Sequence, residues 1–182
     1  MHLYSYPEKN HLKNDKSVKL YNILLPLWLI IFLPSYLWLA LIPLNYIIDR
    51  LVLRWSLGGM PDKGLFCRKH TWKICLAGFF SDLVGSLILL GISIPASEKG
   101  ERLYDIGHAI MFDPFADPVG LLIVAACIVV SAVCVYFLDK WILGMAGLEP
   151  GQVKRSAIRL ALITAPYLYL FPSRLLYEGG IL

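Results

Sequence analysis

From Leu20 to Ile48 the chain runs for 29 residues without an Asp, Glu, Lys or Arg. A helix crosses the hydrocarbon of a bilayer in about 20 residues, so this run already exceeds one untilted passage. Three further apolar blocks follow: Trp72 to Ala96, Val119 to Leu138, and Ala157 to Tyr177, the last interrupted by Arg159 and Pro166. Across the 182 residues, 58% are hydrophobic and only 16% charged. Soluble domains hold about 45–50% apolar and about 25% charged residues. The excess excludes a soluble enzyme, a disordered chain, a coiled coil and a secreted disulfide scaffold. What remains is an integral membrane protein with several crossings.

The first block carries Pro26, Pro34 and Pro43, each of which removes a backbone donor and disfavours a straight helix. It is therefore either one long kinked helix or a hairpin that returns to its starting side. Basic residues decide between them, because Lys and Arg are retained on the cytoplasmic face. With one crossing, the best orientation leaves 10 of the 17 basic residues inside and 7 outside. With a returning hairpin the split becomes 14 to 3. The hairpin is the better reading. The chain is thus expected to be an all-α transmembrane bundle of four hydrophobic blocks and four to five spans. Residues 1–19 form a polar cytoplasmic tail, and residues 20–182 form a single transmembrane domain. No cleavage site follows the tail at signal-peptide distance, so the first block is expected to stay attached.

The segment from Ser97 to Pro118 carries Glu98, Glu101, Asp105, Asp113 and Asp117 against Lys99 and Arg102, and reads as an acidic external loop. Asp117-Pro118 is a cap followed by proline at the first helical position, which opens the third block. Cys67, Cys75, Cys127 and Cys134 lie outside that loop and lack a CxxC spacing, so neither disulfides nor zinc are expected. They read as small buried thiols.

Asp82 is the charge deepest inside an apolar block, and such a residue is a functional candidate by default. Gly78, Ser81, Asp82, Gly85 and Ser86 recur at helical spacing as one small polar face. That face either lines a path for a proton or cation, or packs on a neighbouring helix with Asp82 bonded across to a donor. Asn45, Arg159 and Thr164 are the available donors, and the packing reading is favoured. Asn45 and Asp49, four residues apart, share one helix side. Pro166 and Pro172 break the last block, as a structural kink or, less favoured, as a transporter's discontinuous helix.

Catalytic signatures such as HExxH, GxSxG and a phosphate-binding glycine loop are missing, so no enzyme, cofactor or metal is expected. The net charge of +4 reflects loop topology and lipid headgroups, not nucleic acid.

Three stretches carry a resemblance: Leu25-Pro26-Leu27-Trp28 through Pro43-Leu44-Asn45-Tyr46-Ile47-Ile48-Asp49, then Gly78-Phe79-Phe80-Ser81-Asp82-Leu83-Val84-Gly85, then Leu162 to Pro172 with Thr164-Ala165-Pro166-Tyr167. The chain resembles an uncharacterised family of small multi-pass membrane proteins from Gram-positive anaerobic bacteria. That resemblance implies a bacterial cytoplasmic membrane and brings no functional residue with it. The expected role is a non-enzymatic subunit of a larger membrane assembly, whose partners are the lipid bilayer and other membrane proteins or further copies of itself. The alternative is a small channel or transporter that uses Asp82.

Overall fold

A computed structural model describes residues 38–97 and 100–175. The tail at 1–19 and the first arm of the expected hairpin, with Pro26 and Pro34, lie outside the described residues. The described part is helical throughout. Its elements are α1 (Trp38–Ser56), α2 (Lys63–Ser97), α3 (Glu101–Phe112), a 3-10 turn (Pro114–Ala116), α4 (Pro118–Met145), α5 (Pro150–Ile163) and a second 3-10 turn (Tyr167–Leu170). Among them, α2 and α4 are long and apolar enough to cross a membrane. At 35 residues, α2 is about 52 Å long.

The helices α2 and α4 pack antiparallel, and α5 folds back on α4 after a turn in which Gly147 takes a φ of 80°. That left-handed value suits a residue without a β-carbon. Two apolar clusters hold the bundle at its ends. One joins Val52, Leu53 and Leu57 to Ile74 and Ala77 of α2, Ile142 and Leu143 of α4, and Val153 and Leu160 of α5. The other joins Leu89 of α2 to Ile106 and Ile110 of α3, Val124 and Ile128 of α4, and Tyr169. Between them α2 and α4 bury polar groups instead, among them Ser81, Ser86 and Ser131. Outward, α4 presents Leu122, Val129, Phe137 and Trp141, each at least 60% exposed. An apolar outside over a partly polar inside reverses the usual pattern of a surface helix in water.

Charge divides between the two ends. Arg54, Lys63, Arg68 and Lys69 stand beside the first cluster with Lys154 and Arg155, whereas Glu101, Asp105, Asp113 and Asp117 stand beside the second. Arg174 pairs with Asp113 at 3.3 Å, which places the last described turn at the acidic end.

The expected segment boundaries need correction in three places. The acidic stretch is not an open loop: it folds into α3, whose Ile106, Ala109 and Ile110 are buried. The third block does not stop at Leu138, because α4 continues to Met145 and its buried face continues with it. The fourth block is helical from Pro150 and ends at Ile163. The Asp117-Pro118 cap forms as its sequence dictates, with the Asp117 carboxylate accepting from Val119 N at 2.8 Å and Gly120 N at 3.0 Å.

Candidate functional site

Two helix faces and one broken segment enclose a cavity of about 310 Å³. Asn45 and Asp49, one turn apart on α1, form one wall. Gly78 and Asp82, one turn apart on α2, form the facing wall with Cys75 and Phe79. The residues after α5, from Thr164 to Tyr169, close the third side. Gly78 opens the space, since a β-carbon built there would meet no atom within 4 Å.

The third wall exists because the last block breaks. Pro166 has no N–H to return to the Leu162 carbonyl, which would end as a lone acceptor. The Tyr167 hydroxyl fills that place, donating to Leu162 O at 2.5 Å. Thr164 Oγ1 donates to Leu160 O at 2.9 Å, so its hydroxyl is committed to the helix end and not to Asp82.

Beyond the break, Tyr169 is nearly fully buried and its hydroxyl donates to the backbone carbonyl of Asp82. With its single proton spent there, it accepts from Ser86 Oγ at 3.0 Å. Gly85 and Ser131 lie against the same tyrosine. Ser81 satisfies itself by donating to Ala77 O at 2.9 Å. The polar face expected from sequence is therefore divided: Gly78 and Asp82 border the cavity, Gly85 and Ser86 seat Tyr169, and Ser81 caps its own helix turn.

Asn45, Asp49 and Thr164 are brought to Asp82 around the cavity, and Arg159 is not. Its guanidinium lies over the Trp55 ring, 4.2 Å from the centroid. Asp82 Oδ1 is buried without a hydrogen-bond partner among the described residues, so the expected donor across the helix interface is missing. Asp49 is 5% exposed and has the Cys75 thiol within hydrogen-bonding reach.

A third buried carboxylate escaped the sequence reading. Asp139 on α4 is 0% exposed, and neither of its oxygens has a partner among the described residues. Asp49 lies within electrostatic reach of both Asp82 and Asp139. The signal was present in the spacing: Ser131, Val135, Asp139 and Ile142 continue one buried face at three- and four-residue steps. Among the described residues, no group of three His, Cys, Asp or Glu side chains is arranged to hold a metal ion.

At the acidic end, Asp117 pairs with Arg102 at 2.5 Å as well as capping α4. The Gly120 N–H, the Arg102 guanidinium and the Val119 N–H together hold its carboxyl below the usual carboxylate range.

No protein family, curated protein or solved structure matches the chain.

Proposed function

We propose that this chain is a multi-pass membrane protein that moves a proton or a small organic cation through the cavity between Asp49 and Asp82. One observation carries the reading: among the described residues, the two cavity carboxylates have no basic partner. Among the described residues, the ion pairs engage Asp113 and Asp117 at the acidic end and leave the interior acids alone. An ionised carboxylate buried without compensation costs several kcal/mol, and membrane interiors raise that cost. Each acid is therefore either held neutral by a proton or paired with a positive charge that the described residues do not supply. A packing interface needs no such visitor, and among the described residues Asp82 Oδ1 lacks the donor that a packing role requires. The helix break supports the same reading, since discontinuous helices let irregular backbone line a cavity at membrane depth.

In this reading the basic end and the N-terminus face the cytoplasm, and the acidic end faces outward, following the retention of Lys and Arg. The membrane is the bacterial cytoplasmic one. The cavity walls are largely apolar, with Leu41, Leu44, Ile48 and Phe79 around the two acids, which suits an amine with a hydrophobic body.

The test is reconstitution of the purified chain into liposomes, following proton flux with an internal pH dye and uptake of ethidium. Wild-type protein should support flux that Asp82→Asn and Asp49→Asn each reduce. Flux indifferent to both substitutions would sink the proposal. A stoichiometric membrane partner, together with no flux from the chain alone, would favour the subunit role instead.

A further inference from the structure

We propose that Asp139 is a proton-exchange residue behind the cavity, passing toward the basic end the proton displaced when a cation settles between Asp49 and Asp82. The inference rests on the carrier reading and adds the counter-ion: a proton leaves as a cation enters.

Placement comes from the register of the helices. Gly85 faces Ser131 across α2 and α4, and Ile74 and Ala77 share a cluster with Ile142 and Leu143. In that antiparallel register Asp139 lies level with Ala77, about one turn closer to the basic end than Asp82. It is fully enclosed, so bulk water does not reach it directly, and both carboxyl oxygens are unpartnered among the described residues. A carboxyl in that state can receive a proton on one oxygen while giving its own from the other.

Unpartnered polar atoms continue in the same direction. Ser156 Oγ on α5 is fully buried near the level of Asp139, since α5 folds back along α4 and Leu143 and Val153 belong to one cluster. His70 Nδ1, two turns nearer the basic end on α2, is also buried and without a partner. None of these atoms hydrogen-bonds another in this structure, so a proton crosses between them only through an intervening water or a side-chain rotation. Among the described residues, Asp49 of α1 is the charged group whose field reaches Asp139, while Asp82 and His70 of α2 lie about one turn and two turns away along the bundle. The helix α5 presents the Ser156 hydroxyl and leaves Lys154 and Arg155 exposed.

The exchange balances in atoms and charge. A protonated cavity acid gives its proton to Asp139, which releases its own toward Ser156, His70 and the basic end. The carboxylate left behind pairs with the entering cation. One positive charge enters and one leaves, and no bond to carbon changes.

Infrared spectroscopy of the reconstituted chain at neutral pH reads the residue directly. Wild type should show the C=O stretch of proton-bearing carboxylic acids, of which Asp139→Asn removes one component and Asp139→Glu shifts it. Adding tetraethylammonium should release protons from wild type and from Asp139→Glu, but not from Asp139→Asn. The inference is overturned if Asp139→Asn keeps the whole band or releases protons like wild type. The two readings fail separately. If wild type moves no cation across liposomes but loses that band component and the proton release in Asp139→Asn, the carrier falls and the exchange residue stands. If transport persists with band and release untouched by Asp139→Asn, the reverse holds.

Discussion

Gly85 and Tyr169 occupy each other's space: a β-carbon on Gly85 would come within 2.9 Å of the tyrosine hydroxyl and 3.0 Å of its ring, and would overlap Ser131 Oγ. The contact joins α2 to α4 and to the segment after the helix break. Real β-carbons do not sit that close, so a side chain at position 85 must displace the phenol. Gly85→Leu is expected to destabilise the bundle by about 1–3 kcal/mol, the range for overpacking a filled interior. Thermal denaturation in mild detergent measures it. An unchanged midpoint would show that Tyr169 is not seated there.

The Tyr169 hydroxyl makes two bonds, to the Asp82 carbonyl and to Ser86. Tyr169→Phe preserves the ring's packing and removes both. The cost should be about 1 kcal/mol, with Ser86 left as the unsatisfied member. Ser86→Ala in the same background should add little, because its partner is already gone. A full additional loss would contradict the pairing.

Acid should loosen the N-terminal end of α4. The Asp117 carboxyl is held below its ordinary value, chiefly by the Gly120 N–H. A depressed folded value means that the stabilisation is fully present well above the unfolded value of about 3.9. It is lost as pH falls through the still lower folded value. Stability measured against pH should therefore decline in strong acid for wild type and less steeply for Asp117→Asn. Equal slopes would mean that the cap does not depend on the charge.

Sidedness is measurable with single introduced thiols. Cys67, Cys75 and Cys127 are buried and Cys134 is half-buried, which leaves a quiet background for an aqueous maleimide. Asp62→Cys, at the basic end, and Asp105→Cys, at the acidic end, are exposed positions. In intact cells, Asp105→Cys is expected to react and Asp62→Cys to react only after lysis. Reaction of both from outside would overturn the proposed orientation.

The helical class and the two long apolar helices were legible because hydrocarbon length is written linearly in the sequence. Asp82 and Asn45–Asp49 stood out for the same reason, as polar groups at helical spacing inside apolar runs. Asp139 did not, because it adjoins Lys140 at the edge of its block and resembled an ordinary charged helix end. Its burial depends on α4 continuing to Met145 and on α5 folding back over it, neither of which hydropathy alone conveys. The helix α3 was hidden in a comparable way. Its acidic residues gave the segment the composition of a loop, while Ile106, Ala109 and Ile110 supplied a buried stripe only three and four residues apart. Arg159 misled in the opposite direction: a long cation near an apolar block suggested a partner for Asp82, yet the Trp55 ring was closer at hand.

The cavity lies between two apolar clusters, and insulation on both sides has an electrical meaning. In an energised bilayer the potential drops across just such low-dielectric layers, so a charge at the cavity has crossed only part of the field. One elementary charge carried the whole way is worth about 2.3 kcal/mol per 100 mV, and a half-way site feels roughly half of that. In the proposed orientation, occupancy of the Asp49–Asp82 cavity should then follow membrane voltage, filling from the outside as the cytoplasm becomes more negative.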